Sequence, residues 1–176
     1  MANLFQKLEI EAFRAGITPR TKESMDWFRR KATQLGRVGK SIMNDEALKL
    51  QSSMKSPGGN MYMFFYDPKY KKTLPYYDKF PLIIMTGPAK GGFYGLNLHY
   101  LPPALRAKVL DALLGDGNVP SKFISPMIKH YLTDHVRSRF ALVDKPEWEI
   151  ATFLPTAQFE KLNAGQVYTR SKRMIK

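Results

Sequence analysis

The sequence predicts a single α+β domain: a small, mostly antiparallel sheet or a partly closed barrel, flanked by helices and preceded by an N-terminal helical arm. Three observations lead there. Residues 61–66, 82–86 and 93–98 are short apolar runs separated by Gly- and Pro-rich turns, the pattern of successive strands. After Pro103 and again after Pro126, apolar residues recur at three- and four-residue spacing, the pattern of helices packed on one face. The chain has 176 residues, 44% of them apolar, which suffices for one buried core without staples.

Taken in order, Asn3 caps a first helix with Leu4, Phe5, Leu8 and Ala12 on one face, and Gly16 stops it. Thr18-Pro19 reads as cap plus first helical position, opening a second helix from Pro19 to Leu35 that buries Met25, Phe28, Ala32 and Leu35. A short helix is expected over Asp45 to Gln51, and Ser52 to Gly59 has the composition of a linker. Residues 1–57 thus read as an arm, 58–165 as the core and 166–176 as a basic tail.

Within the core, Met61–Tyr66 is apolar on both faces and should be a covered strand. Asp67-Pro68-Lys69 is a turn signal. Pro75 and Pro81 keep the next segment extended and place the start of the second strand, Leu82–Thr86, at a sheet edge. Gly87 to Gly92 connects it to Phe93–Leu98, where Gly95 marks a bulge or a close backbone approach. Pro102-Pro103 opens a helix to Leu114 that buries Leu105, Val109, Ala112 and Leu113 and stops at Gly115. Ser125-Pro126 opens another to about Ser138, with Ile128, Tyr131 or Leu132, and Val136 inward. Phe140–Val143 and Trp148–Leu154 read as late strands, and Pro155-Thr156 as the start of a short helix with Phe159 and Leu162.

The net charge of +13 and pI near 9.9 favour a polyanionic partner. The absence of cysteine excludes a disulfide framework and thiolate metal sites. The first residues lack the basic start and apolar core of a signal peptide. No run approaches ~18 apolar residues, so no membrane partner is expected.

No motif declares a reaction. Gly36-Arg37-Val38-Gly39-Lys40-Ser41 imitates a phosphate loop, but Gln34 stands where the first glycine belongs and the preceding segment reads as helix. His130 and Asp134 would share a helix face as a metal pair, yet no third ligand accompanies them. Glu147 and Glu149 would share a strand face. Asp67-Pro68-Lys69 matches a three-position nuclease pattern that its turn explains fully. No catalytic residue, cofactor, metal or small-molecule substrate is expected.

The most informative surface is the loop between the first two strands. Lys69, Lys71, Lys72 and Lys79 can neutralise phosphates, and Tyr76 and Tyr77, with Tyr70, can stack on bases exposed at a strand end. Arg137 and Arg139 lie beside the end of the second core helix, and Arg170, Lys172 and Arg173 make the tail the most basic stretch per residue. The same residues also suit protein contacts.

Met61-Tyr62-Met63-Phe64-Phe65-Tyr66-Asp67-Pro68-Lys69, Leu74-Pro75-Tyr76-Tyr77-Asp78 with Phe80-Pro81-Leu82, and Gly95-Leu96-Asn97-Leu98-His99-Tyr100-Leu101-Pro102 resemble the DNA end protector family of small virion proteins of T-even-like tailed phages, cyanophages included. Lys129 to Leu132, Val136 to Phe140 and Phe153 to Thr156 resemble the same group, so the likeness spans residues 59–156. It implies a minor virion protein that sits on double-stranded DNA ends, touches other virion proteins, and blocks host exonuclease without a reaction of its own. The alternative is a neck, tail or baseplate protein that acts through protein contacts.

Overall fold

The structure, a computed structural model, describes residues 10–17, 23, 27, 59–115, 117–153 and 156–175, with backbone alone at Ile150 and Phe153. The core runs β1 (Met61–Met63), β2 (Tyr77–Asp78), β3 (Leu82–Ala89), β4 (Gly92–Asn97), α1 (Pro103–Leu114), α2 (Ser121–Met127), β5 (Ile128–Leu132), β6 (Ala141–Val143), α3 (Trp148–Phe153), β7 (Phe159–Glu160) and α4 (Ala164–Ile175). Five strands form one antiparallel sheet in the order β5-β4-β3-β1-β6, and β2 pairs with β7 in a separate ribbon. The fold is α+β as expected. The sheet is open, ending on β5 and β6, and does not close into a barrel.

Both faces of the sheet are covered, which is why its strands read as continuous apolar runs. Met61, Met63, Leu82, Ile84 and Leu96 face the helices and pack with Val109 and Leu110 of α1, Phe123 and Met127 of α2, and Trp148 and Ala151 of α3. Tyr62, Ile83, Met85 and Phe93 face the other way, into an aromatic layer. There Phe64 lies 5.8 Å from Phe93, 5.3 Å from Tyr131 and 4.9 Å from Phe140, between ring centroids. Tilted and edge-on pairs of this kind add roughly 0.5–1.5 kcal/mol each beyond burial.

Gly95 is at a close approach, but to a side chain and not to the backbone expected: a Cβ there would sit 2.7 Å from Ile83 Cδ1 and 3.1 Å from Ile83 Cβ on β3. The bulge lies opposite, on β3, where the register slips between Met85 and Gly87. The expectation that β3 begins at an edge is wrong. β3 is the middle strand of the sheet, and Pro81 is tolerated because it precedes the first ladder position.

Three further assignments are corrected. The segment expected as one helix from Pro126 to Ser138 is a helix only to Met127; it then turns into edge strand β5. Ile128 and Tyr131, three apart, fit the helical period and not that of a strand; the strand wins because Tyr131 stacks on Phe93 at 5.6 Å and its hydroxyl accepts from Asn97 Nδ2 at 3.1 Å, while Ile128, expected inward, is 42% exposed. Of Trp148–Leu154, expected as a strand, the described residues Trp148–Phe153 form α3 after the 3₁₀ turn Lys145–Glu147. Asp144 with Pro146 behind it is a helix start, and Trp148 and Ala151 are buried at helical spacing. Phe159 and Glu160, expected in a helix, pair instead with Asp78 and Tyr77.

In the N-terminal region, residues 10–14 are helical and Gly16 ends the turn at φ +69°, with Ile17 N–H donating to Ala12 O at 3.0 Å. Ala12 and Trp27 are buried in the main core cluster. The expected helix from Pro19 to Leu35 (apart from residues 23 and 27), the Gly36–Ser41 segment, the helix at 45–51 and most of the linker lie outside the described residues. No helix among the described residues is long and apolar enough to cross a membrane.

Candidate nucleic-acid interface

The lysine–tyrosine loop is an ordered rim. Its first turn is fixed by His135, whose Nδ1 donates to Asp67 O at 2.8 Å, and by Asp67 N–H donating to His135 O at 3.0 Å. Its far end is held by Lys161, whose Nζ donates to Lys72 O at 3.0 Å and to Leu74 O. Its last residues become β2, anchored to β7.

Below β2 lies a buried polar network. Asp78, 3% exposed, accepts from His99 Nδ1 at 2.7 Å, Asn97 Nδ2 at 3.2 Å, Phe80 N–H at 3.0 Å and Gln158 N–H at 3.1 Å. Burial alone would raise the Asp78 carboxyl; the His99 ring and these hydrogen bonds outweigh it and hold it below the usual carboxylate range. Burial pushes His99 down, with the Arg106 charge adding to the effect and Asp78 opposing it. His99 Nε2 lies 3.1 Å from Thr156 Oγ1, so the order carboxylate–imidazole–hydroxyl imitates a nucleophile relay. Thr156 is only 2% exposed and His99 fully buried, so no substrate reaches the hydroxyl. The network is a strut joining β2, the 3₁₀ turn Leu98–Tyr100 and the irregular segment 156–158 that leads to β7. Arg106 extends it: its guanidinium donates to Leu101 O, Thr152 O, His99 O and Tyr168 Oη.

Between the rim and β5 opens a groove of about 800 Å³. Tyr70, Tyr76 and Tyr77 of the loop and Lys129, His130 and Tyr131 of β5 line it, together with Lys69 and Lys90. Asp78 is the one acid in the lining, and its oxygens are spent in the network just described. A row of four side chains crosses this region. Lys129 Nζ sits 4.3 Å from the Tyr100 ring centre, Tyr100 lies 5.8 Å from Tyr76, and the Arg170 guanidinium lies 5.4 Å from the Tyr76 ring. Lys129 is largely desolvated. Among the described residues its only hydrogen-bond acceptor is Pro126 O at 2.9 Å, and burial pulls its ammonium down to about 8.

The structure thus brings together Lys69, Tyr76, Tyr77 and Arg170 of the residues named from sequence. It separates the others. Lys71 pairs with Asp67 at 2.9 Å and Lys79 with Glu160 at 2.7 Å, so both are partly neutralised. Lys72 is exposed on the outer side of the loop, away from the groove lining. Arg137 donates to Asp134 O at 2.7 Å, and Arg139 is exposed on the same stretch; neither lines the groove. The basic tail, 166–176, takes in all of α4 but its first two residues; the helix is docked through buried Val167 and Ser171, and Lys172 and Arg173 are exposed on it. Sequence reasoning missed Lys90 and Lys129. Lys129 had been placed on a helix, where its contact with Tyr100 is invisible.

The metal pair dissolves with the helix that carried it: His130 is on β5 and Asp134 in the following 3₁₀ turn. Glu147 and Glu149 flank the start of α3 instead of sharing a strand face. Among the described residues no three His, Asp or Glu side chains converge as a metal site.

A family model described as "Phage T4 terminal DNA protecting protein" matches residues 5–126. The chain belongs to this family. The match takes in much of the N-terminal region, on which the sequence resemblance did not rest, and stops just before β5. The description names a phage protein that protects terminal DNA. No curated protein and no solved structure matches the chain.

Proposed function

We propose that the protein occupies the ends of linear double-stranded DNA packaged in the virion, and in the host cytoplasm during assembly and infection, and denies exonucleases access by steric cover. Membership of the terminal DNA protecting family carries this reading. The charge of +13 supports it, because phosphate neutralisation supplies most of the affinity of such proteins. The exposed Lys72, Lys172, Arg173 and Arg139 supply sequence-independent contacts along the duplex, while Lys69, Arg170 and the tyrosine rim face the terminus.

Competition between linear DNA and a closed circle of the same sequence tests the reading. Linear DNA is expected to win by about tenfold or more, with log affinity falling by about 0.9 per phosphate contacted for each unit of log salt. Parity between line and circle would remove the end-binding claim.

A second reading has one observation of its own. Phe13 is 86% exposed and Ile10 46% exposed on the N-terminal helical turn, which suits contact with another virion protein of the neck, tail or baseplate. Such a contact is compatible with end binding and would hold the protein in the particle.

A further inference from the structure

We propose that the groove between the 66–78 loop and β5 receives an unpaired nucleotide at the DNA terminus, with Lys129 meeting its phosphate and the rim tyrosines stacking on its base. The inference rests on the DNA-end reading above and says how an end is told from the interior of a duplex. Surface lysines cannot make that distinction, since phosphates are the same along the whole molecule. Base faces can. Inside a duplex each base face is covered by its neighbours, and a free face exists only at the last pair or on an unpaired nucleotide. Aromatic side chains exploit such faces whatever the sequence.

The groove has the parts this requires. Its volume of about 800 Å³ lies within the range of roughly 300–1,000 Å³ typical of small-ligand sites. Tyr70 is 62% exposed on the rim, with Lys69 Nζ 5.5 Å from its ring centre. Tyr76 is backed by Tyr100 on one contact and by Arg170 on another, so it offers a fixed surface. Lys129 is a desolvated cation whose one acceptor among the described residues is a backbone carbonyl, so an entering phosphate oxygen gives it the anionic partner it lacks. His130, also in the lining, is turned to Lys90 O at 3.1 Å and ties the Lys90 turn to β5. The other charged side chains in the lining are Lys69 and Lys90, both cationic, and Asp78, whose oxygens are already engaged.

The test is fluorescence anisotropy with the full-length protein and hairpin duplexes ending blunt, in a three-nucleotide 3′ overhang, or in a three-nucleotide 5′ overhang, beside a closed circle. One overhang or both should bind about tenfold more tightly than the blunt end, as expected for one stacked base. Tyr70→Ala, an exposed position with little to lose in folding, should abolish that preference and leave circle binding unchanged. The wild-type preference should fade between pH 7 and pH 9, as Lys129 loses its proton in the free protein, and Lys129→Met should remove this pH dependence. If both variants bind overhangs as the wild type does while linear DNA still outcompetes the circle, the groove inference is overturned and the end-protection reading stands. If the wild type does not distinguish line from circle, the end-protection reading itself falls.

Discussion

Replacing Lys129 with methionine should make the protein more stable. The ammonium is buried, and burial lowers its pKa from 10.5 to about 8. At pH 7 the folded protein therefore carries a charge that the fold disfavours, by about 1.4 kcal/mol per unit or about 3 kcal/mol in all. Methionine keeps the length and the apolar stem. It loses the hydrogen bond to Pro126 O, about 1 kcal/mol, and part of the contact with the Tyr100 ring. The net gain is about 1–2 kcal/mol, or a rise in Tm of roughly 3–8 °C for a chain of this size. The sign with pH is fixed. The folded pKa lies below the unfolded one, so between about 8 and 10.5 the unfolded chain holds more protons and wild-type stability rises with pH. The advantage of Lys129→Met should therefore shrink and vanish as pH approaches 10.5. Thermal melts of both proteins by circular dichroism at pH 7 and pH 10 read both effects. A lower Tm for the variant at pH 7, or a difference that does not change with pH, would refute the reasoning. It would mean the ammonium is already satisfied and has no need of a phosphate.

Four further outcomes follow. Stability should drop as pH falls below the ordinary histidine value of 6.5, because the unfolded chain takes up a proton that buried His99 resists; melts at pH 7 and pH 5 measure the drop, and a histidine NMR titration should place His99 below that ordinary value. Arg106→Ala should cost about 3–5 kcal/mol in urea unfolding, since it leaves the Leu101, Thr152 and His99 carbonyls buried without their donor; a loss under 1 kcal/mol would show that the guanidinium is not the strut described. Gly92→Ala should destabilise by about 1–3 kcal/mol or more, because its Cβ would fall 1.8 Å from Tyr131 O on β5; overhang affinity should fall with it as β5 shifts. Lys172→Ala should weaken binding to line and circle alike and lower the salt slope by about 0.9, the value for one phosphate contact.

The parts of the fold legible in the sequence are those fixed by local chemistry. Pro103 and Gly115 bracket α1, and the continuous apolar runs at 61–66, 82–86 and 93–98 revealed a sheet covered on both faces. Gly95 marked a crowded position, although what crowds it is the Ile83 side chain and not a backbone. What failed was decided at long range. The three-residue spacing of Ile128 and Tyr131 suits a helix and not a strand, and the strand is imposed by Phe93 and Asn97 on a neighbouring strand. Asp144 and Pro146 did carry a helix-start signal, which the β-favouring residues around Trp148 obscured.

The site shows the same division. The loop was identifiable from its lysines and tyrosines, but which of them face the groove was not. Lys79 is paired with Glu160, 81 residues away, and Arg170 reaches Tyr76 because α4 folds back onto the core. Lys129 was hidden twice, by the wrong helix and by having no acidic partner to draw attention to it. The buried Asp78–His99–Thr156 strut had no sequence signal at all, since its members lie far apart in the chain.

The central claim is that a DNA end is covered. Linear duplex DNA challenged with an exonuclease, in the presence of the protein at concentrations that saturate its ends, measures this directly. The claim predicts that the linear DNA survives with its terminal nucleotides intact and that excess closed circle does not relieve the protection. Degradation at the unprotected rate, or protection that a closed circle abolishes as readily as linear competitor does, would contradict it.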